Sequence, residues 1–196
     1  MASLQHPLTY LAPLVWLGGL LTGPSVLLSQ VAGPAFHCGT ERWPVKILAD
    51  SHRALLQTEP IASTVADLGA IPIPEIPYPQ VRRIAPQEIT VYRVRARLQE
   101  AFMESDHDLH LILDDLAKPD YSMIAEIPDS ACALGTGRES AFAAARRVLR
   151  QAPRGAVLEI EGVGFFDFIH NQRGRAMNGI ELHPVLVVRV VSDTLK

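Results

Sequence analysis

Polar side chains interrupt three predicted β-strands at positions where apolar residues would suffice. His110, Glu126 and His183 each alternate with leucine, alanine or isoleucine, and Glu181 stands two residues before His183. Because side chains alternate across a strand, these groups share the face opposite the apolar residues. If the strands align as in a barrel, His110, Glu126 and His183 converge as a candidate metal-ligand set or a catalytic acid–base group. The alternative is a solvated outer face with ion pairs to the arginines of the first strand.

A second set of oxygen donors stands at the start of the second predicted strand. Asp106 and Asp108 form an Asp-x-Asp pair, whose carboxylates can bind Ca²⁺ or Mg²⁺. The full calcium-loop pattern is absent, so the alternative is a hydrated loop that enters a hairpin. The sequence establishes no cofactor, and a divalent metal is the candidate.

The segment DFIHNQRGRAMN, which joins the last two predicted strands, concentrates groups that contact ligands. Asp167, His170, Arg173 and Arg175 are predicted to form a binding rim, because two arginines near a histidine can hold a phosphate or a carboxylate. Phe166 is added to this set, since an exposed aromatic side chain in such a barrel suits stacking on a base or a sugar. The alternative is that the phenylalanines close the end of the barrel.

Composition excludes several classes of protein. The chain has 196 residues, 20% of them charged, and a formal net charge of -3, which argues against a histone-type nucleic-acid binder. Two cysteines cannot build a four-cysteine zinc site. No Walker loop, dinucleotide fingerprint, nucleophile elbow or zincin motif occurs. The sequence therefore establishes no catalytic motif and leaves enzyme activity open.

Strands and one helix must position these side chains. Apolar alternation predicts five strands, at residues 89–98, 108–115, 122–127, 156–166 and 180–191. A helix between the third and fourth strands is predicted to begin at a capping box of Thr136 and Glu139. The order predicts a mainly β fold, a five-stranded OB-like Greek-key barrel with one helix between strands three and four. An open α+β sandwich with the same order is the alternative.

The N-terminal region is predicted to be an export signal. Residues 8–28 are almost entirely apolar, no Asp, Glu, Lys or Arg precedes Glu41, and small residues before Phe36 offer a cleavage site. The alternative is an uncleaved membrane anchor. The predicted division is a signal peptide at 1–35, a proline-rich N-terminal wrap at 36–88 and the barrel domain at 89–196.

Export has consequences for partners and for the cysteines. We expect a secreted or periplasmic protein without a stable membrane partner after cleavage. In such an oxidising compartment Cys38 and Cys132 are predicted to form a disulfide. The alternative is two buried free thiols.

Local signals also predict structure within the proline-rich region. Trp43 to Leu48 favours a short edge strand, and Ser63 to Leu68 favours one helical turn capped by Ser63 or Thr64. The run IPIPEIPYP, residues 71–79, favours extended polyproline geometry and a wrap around the domain. A flexible linker is the alternative for this run.

Five motifs resemble a family of small exported bacterial proteins that is uncharacterised. They are ERWPVK, DxDxHLxL, MIAEIP, GVGFFD and NGIELHPV, which begin at residues 41, 106, 123, 162 and 178. The resemblance covers nearly all of the chain after the predicted signal. It implies export and the Cys38–Cys132 pair, and it implies no activity.

A weaker resemblance is to staphylococcal-nuclease-type OB domains. It implies that Asp106, Asp108 and Asp129 match the acidic positions of that family, with Arg173 or Arg175 as the phosphate clamp. The chain departs from that family at Glu126, where the family pattern has an arginine.

Three functional hypotheses follow from these observations. The first is an exported OB-like binding module for an oligomeric polyanion or a saccharide. The second is a metal-dependent phosphodiesterase, a nuclease-like hydrolase that uses His110, Glu126 and His183. The third is a structural envelope or matrix protein, which predicts no concave polar site.

Overall fold

The five predicted barrel strands are all present, each with bounds within five residues of the prediction. The computed structural model describes residues 37–75 and 82–192. Its strands are β1 (Gln57–Ser63), β2 (Thr90–Met103), β3 (Leu109–Asp115), β4 (Ser122–Ile127), β5 (Val157–Phe166) and β6 (Ile180–Val191). Its α-helices are α1 (Trp43–Lys46), α2 (Val65–Gly69) and α3 (Glu139–Leu149). The predicted signal peptide and the second half of the 71–79 run lie outside the described residues.

Strands β2 to β6 close into a mixed barrel. β2 pairs antiparallel with β3 over residues 96–103 and with β5 over residues 91–97. β3–β4 and β5–β6 are also antiparallel, whereas β4 and β6 are parallel. The strand order β2-β3-β4-β6-β5, with β5 returning to β2 and α3 between β4 and β5, is that of an OB-like barrel. This closure decides against an open sandwich.

Strand β5 approaches the start of β2 closely at Gly164. Gly164 in β5 has no room for a side chain, since a Cβ there would lie 2.7 Å from Gln87 O and 2.8 Å from Tyr92 Cε2. The pairing of β5 with β6 also shifts register on both sides of Gly162. The glycines of the GVGFF segment therefore permit a close backbone approach and a bulge.

Alternation divides the barrel strands into an inner and an outer face. The apolar partners of the polar residues, such as Leu111, Ala125 and Leu182, are fully buried in the main core. Helix α3 adds Phe142, Ala145 and Leu149 to the same core. The polar residues on the same strands consequently point to the outer face of β3, β4 and β6.

The start of α3 differs from the predicted capping box. The residue before the first helical turn is Arg138, not Thr136, and no side chain in the described part of the protein caps the helix. The Thr136 hydroxyl accepts the N–H of Arg138 at 3.1 Å, and the Glu139 carboxylate accepts the N–H of Gly135 at 2.7 Å. The two predicted side chains thus stabilise the turn that leads into the helix.

The proline-rich region contains two elements that differ from the predictions. The predicted edge strand at Trp43 to Leu48 is wrong, because these residues form α1 and its C-terminal turn. Pro44 lies at the start of α1, where its fixed φ suits a helix and its missing N–H costs no hydrogen bond. The unpredicted strand β1 pairs parallel with β2, and its register shifts across the segment that contains Pro60.

Other features of this region agree with the sequence. Helix α2 is capped by Thr64, whose hydroxyl accepts the N–H of Asp67 at 3.0 Å. Cys38 and Cys132 form a disulfide with a Cα–Cα distance of 5.6 Å. Such a bridge fits an oxidising compartment. Within residues 37–75 and 82–192, no helix is both long enough and apolar enough to span a bilayer.

Candidate functional site

Glu126 lies between the two predicted histidines. His110 donates its Nδ1–H to Glu126 Oε1 at 2.8 Å, and His183 Nδ1 lies 2.9 Å from Glu126 Oε2. His110 and Glu126 are direct cross-strand partners in β3 and β4, and the parallel pairing of Ala125 with Leu182 places His183 alongside. The structure therefore brings together the three residues that the sequence singled out.

Three further carboxyl groups surround this trio. Glu104 Oε1 lies 3.2 Å from His110 Nδ1, and Glu181 Oε1 lies 3.2 Å from His183 Nδ1. The other ring nitrogen of His183, Nε2, lies 3.3 Å from Asp108 Oδ2. We call these six residues, Glu104, Asp108, His110, Glu126, Glu181 and His183, the histidine–carboxylate cluster.

Five members of the cluster are buried, in contrast to the predicted alternative of a solvated face, and Glu104 is partly exposed. His110, Glu126 and His183 are 1%, 4% and 0% exposed. The arginines of β2 pair elsewhere: the Arg93 Nε–H, for example, is donated to Glu161 Oε1 at 3.0 Å.

Basic residues of the N-terminal segment lie over the outer face. Lys46 Nζ is 5.2 Å and Arg42 Cζ 4.5 Å from the centre of the Phe165 ring, which is itself 5.7 Å from the ring of His183. Burial lowers the pKa of the Lys46 ammonium, but the surrounding carboxylates, Glu181 first, outweigh burial and raise that pKa. The segment thus contributes a firmly protonated lysine above the cluster.

The neighbouring carboxylates favour the protonated imidazoles. Burial lowers the pKa of His110, but hydrogen bonds to Glu104 and Glu126 outweigh it and raise the pKa to about 9. Burial also disfavours the charged form of His183, yet its contacts with carboxylates, Asp108 first, hold its pKa well above the ordinary value. Each imidazole therefore holds a proton firmly when carboxylates are its only partners.

The two buried glutamates of the cluster, Glu126 and Glu181, have pKa values that are shifted in opposite directions. Burial raises the pKa of Glu126, but the two imidazoles outweigh burial and hold the pKa well below its ordinary value. Burial and the charge of Glu126 together raise the pKa of Glu181 to about 7. Glu126 is therefore the permanent anion at the centre of the cluster.

A polar pocket of about 370 Å³ lies above Glu126. It is bordered by the N-terminal segment 37–41, the β2–β3 loop at residues 104–106, and the β5–β6 loop. The side chains that line it are mainly acidic or capable of hydrogen bonding, and include Glu41, Lys46, Glu104, Asp106, Glu126, Asp167, His170 and Gln172. The deepest of these acids, Glu126, connects the pocket with the buried cluster.

The structure divides the predicted binding rim. Asp167 and His170 line the pocket. Arg173 instead pairs with Glu100, and Arg175 lines a separate depression that also contains Tyr121.

Packing of the loop against β3 explains this division. Gly174 lies between the two arginines and has a φ of +81°, and a Cβ there would approach Ile112 Cγ2 to 2.5 Å. This close contact holds the Arg173–Arg175 part of the loop against the outer face of β3.

Phe166 does not contribute to a surface. It is 2% exposed and belongs to the barrel core, which corrects the prediction that its ring stacks on a ligand. Phe165 is also fully buried, whereas Phe168 keeps 37% of its surface exposed. Phe165 and Phe166 are successive residues of β5, so their side chains point to opposite faces of the strand. Both faces are covered, and both rings are therefore buried.

The acidic residues predicted from the nuclease resemblance separate as well. Asp106 lines the pocket, while Asp108 is fully buried beside His183. Asp129 lies 3.3 Å from the Arg146 guanidinium and accepts the N–H of Ala131 at 2.8 Å, so it joins a turn to α3.

Sequence reasoning missed Lys46 and Glu104. Lys46 belongs to the ERWPVK motif, but nothing local shows that its ammonium group lies over Phe165 and within electrostatic reach of Glu181 and Glu126. Glu104 lies just beyond the predicted end of the first strand, and the observed β2 extends to Met103. If the first strand had been predicted to extend to Met103, Glu104 would have been placed in the turn that follows it, close to His110.

Two groups within the described residues have donor atoms close enough to hold one metal ion. They are Glu104–His110–Glu126 and Asp108–Glu126–His183, and in each group the donor atoms lie within 4.8 Å of one another. Glu126 belongs to both. Asp106 and Asp108, the second predicted metal pair, are not grouped together.

Comparisons with known proteins add little to this geometry. No protein-family model and no curated protein matches the chain. A solved chain named as an aspartyl-tRNA synthetase, from Leishmania major Friedlin, is 14% identical over 71% of this chain and 22% of its own, with a TM-score of 0.41. A chain from a solved complex of TiaS with an isoleucine tRNA and ATP is 17% identical over 54% of this chain and 19% of its own, with a TM-score of 0.30. The chain thus spans about a fifth of each, and the likeness carries no functional inference.

Proposed function

We propose that the protein is an exported OB-like binding module whose ligand, a saccharide, occupies the polar pocket. The main support for this proposal is the position of the pocket. It lies between the β2–β3 loop and the β5–β6 loop. In OB folds, the corresponding loops border the sites for oligonucleotides and oligosaccharides.

The charge of the pocket favours a saccharide over a polyanion. Five carboxylate side chains line it, against one lysine and two histidines. A surface with this excess of negative charge repels polyanions. Carboxylates and amide oxygens, in contrast, accept hydrogen bonds from sugar hydroxyls. Arg173 and Arg175, the predicted anion contacts, are not among the residues that line the pocket.

The dimensions of the pocket also suit a small saccharide. A volume of about 370 Å³ falls within the usual range of roughly 300–1,000 Å³ for small-molecule sites. Phe168 offers a partly exposed ring in the loop between Asp167 and His170, and aromatic faces beside polar groups suit sugar binding.

The other two hypotheses receive less support. A phosphodiesterase needs a cationic clamp near its metal, and the two candidate arginines lie outside the pocket. A purely structural protein predicts no concave polar site, whereas such a pocket is present. The disulfide supports the exported location of the module.

Direct binding measurements test the saccharide. The probes are a panel of neutral oligosaccharides, with a sulfated oligosaccharide and single-stranded DNA as polyanionic comparators. We expect a neutral oligosaccharide to bind, with an affinity that changes less than about twofold between low and high salt, because no phosphate counterions are released. Binding confined to the two polyanions, with a steep loss in salt, would contradict the proposal.

Variants assign the binding to the pocket. Asp167→Asn is expected to weaken saccharide binding by about tenfold, in line with about 1.4 kcal/mol for one charged hydrogen bond. Asp120→Asn is the matched control, since Asp120 is exposed in the separate depression with Arg175. The double variant Arg173→Ala, Arg175→Ala is expected to bind as the wild type does. Equal effects of Asp167→Asn and Asp120→Asn would exclude this pocket.

A further inference from the structure

Beneath the pocket, three side chains have buried polar atoms without a hydrogen-bond partner among the described residues. These atoms are both carboxylate oxygens of Asp108, His110 Nε2 and His183 Nε2. Asp108 and His183 are 0% exposed. A buried carboxylate that makes no hydrogen bond is unfavourable, and His183 Nε2, although 3.3 Å from Asp108 Oδ2, does not meet hydrogen-bond geometry with it. The Asp108 carboxylate and the Nε2 of His183 face each other, which points to a cation between them.

The spacing of these atoms suits a metal ion. Asp108 Oδ2 and His183 Nε2 are 3.3 Å apart, and two tetrahedral ligands at about 2.1 Å from a zinc ion are separated by about 3.4 Å. Glu126 supplies a third donor, since the ligand atoms of Asp108, Glu126 and His183 all lie within 4.8 Å of one another.

Neighbouring residues hold the donors in orientations typical of metal ligands. The Nδ1–H of His183 can be donated to Glu181 Oε1 at 3.2 Å. This tautomer leaves Nε2 without a hydrogen, so that its lone pair can bind a metal ion beside Asp108. His110 donates to Glu126 Oε1 and so orients the third carboxylate. A histidine that binds a metal commonly donates its distal ring N–H to a carboxylate.

The surrounding charge favours a cation. Asp108, Glu126, Asp167 and Glu181 all act electrostatically on Lys46. These four carboxyl groups concentrate negative charge around one ammonium group, and a divalent ion in place of the proton on His183 Nε2 would offset that charge. An imidazole together with carboxylates selects transition metals such as zinc or cobalt over calcium and magnesium.

We propose that Asp108, Glu126 and His183 bind one divalent transition-metal ion of the zinc class in the buried part of the cluster. This site goes beyond the saccharide proposal and does not depend on it.

Cobalt titration tests the site without any assumption about activity. The oxidised protein is treated with chelator, dialysed and titrated with CoCl₂ at neutral pH, with elemental analysis and visible absorption as readouts. We expect one cobalt ion per chain and a visible d–d absorption band typical of cobalt with a low coordination number. We also expect zinc to displace the cobalt. Failure of the folded protein to retain cobalt or zinc would overturn the proposal, whatever the result with saccharides.

Matched variants distinguish the ligand set Asp108–Glu126–His183 from the alternative set Glu104–His110–Glu126. Asp108→Asn and His183→Gln are expected to weaken cobalt binding at least tenfold. Asp114→Asn in β3 and His52→Gln in the N-terminal region are the controls, and both are expected to bind as the wild type does. Loss of binding in Glu104→Gln together with retention in Asp108→Asn would place the ion at Glu104–His110–Glu126 and overturn the assignment.

A measurement on the wild-type chain tests the site even if the variants fail to fold. Histidine ¹⁵N NMR of the full chain is recorded before and after addition of zinc. We expect the Nε2 resonance of His183 to move to the range of a metal-bound nitrogen, while that of His110 keeps its position. An unchanged His183 resonance would overturn the proposal.

Discussion

At the scale of single residues, Asp115 shows how one side chain joins separate parts of the chain. Its carboxylate accepts the N–H groups of Ala66 at 2.9 Å, Ala117 at 2.9 Å and Lys118 at 3.0 Å. It therefore ties the first turn of α2 to the end of β3 and fixes the turn before β4. Burial raises the pKa of Asp115, but these backbone donors outweigh burial and lower the pKa.

Asp115→Asn is expected to lower the free energy of unfolding by about 1–3 kcal/mol at pH 7, because an amide replaces an ionised acceptor of backbone N–H groups. A depressed pKa in the folded state means that the stabilisation is present above the ordinary pKa of 3.8 and is lost as the pH falls further. The difference between variant and wild type should therefore shrink in acid. Urea unfolding at several pH values measures it.

The neighbouring Asp114 provides the control for this prediction. Asp114 accepts only long hydrogen bonds from Gln99, at 3.3 and 3.4 Å, and burial raises its pKa. Asp114→Asn should change stability by less than about 0.5 kcal/mol. A loss in Asp115→Asn that persists unchanged at low pH would show that ionisation of Asp115 does not stabilise the fold.

At the scale of elements, a buried ion pair fastens the segment of α1 to the barrel. Arg42 contacts both carboxylate oxygens of Glu88, at 2.9 and 2.5 Å, and also donates to Phe166 O at 3.0 Å. Glu88 is 0% exposed and in addition accepts the N–H groups of Ile84 at 2.6 Å and Phe166 at 2.9 Å. The pair thereby holds the segment that carries Lys46 against the end of β5.

Glu88→Gln is expected to lower the free energy of unfolding by about 3 kcal/mol, because breaking a buried pair leaves the Arg42 charge without compensation. Glu159→Gln is the matched control, since Glu159 pairs with the exposed Arg189 at 3.2 Å and such surface pairs contribute about 0–1 kcal/mol. Equilibrium urea unfolding of both variants is the measurement. A similar loss in the two variants would contradict a special role of the buried pair.

At the scale of the whole molecule, the disulfide connects the start of the described chain to the turn before α3. Cys38 and Cys132 are separated by 94 residues, so the bridge restricts the unfolded chain over about half of its length. Cys38 also lines the pocket. The bridge thus contributes both to global stability and to one wall of the candidate site.

The variant Cys38→Ser, Cys132→Ser is expected to lose about 4.7 kcal/mol of unfolding free energy, as the chain-entropy account gives for a closed loop of this size. Reduced wild-type protein should show a similar loss. Urea unfolding of the oxidised, reduced and variant proteins provides the comparison. A loss below about 1 kcal/mol would indicate that the unfolded chain is already restricted without the bridge.

Much of the barrel could be predicted from local patterns. Period-two alternation depends on neighbouring residues alone, and it located β2 to β6 together with the residues that share each face. The order of these elements was enough to name an OB-like barrel. The N-terminal region was harder to predict. Pro44 lies at the start of helix α1 whereas Pro60 lies in strand β1, and the element that forms around each proline depends on what the segment packs against.

The candidate site shows which features follow from the sequence and which follow only from the tertiary structure. The sequence by itself determined which strands carry His110, Glu126 and His183 and that each points away from the core. Only the tertiary structure decided the register that pairs His110 with Glu126, the burial of Asp108, and the separation of Arg173 and Arg175 from Asp167. The physical reason is that alternation is a property of one strand, whereas convergence, burial and charge compensation arise from contacts between segments far apart in the chain.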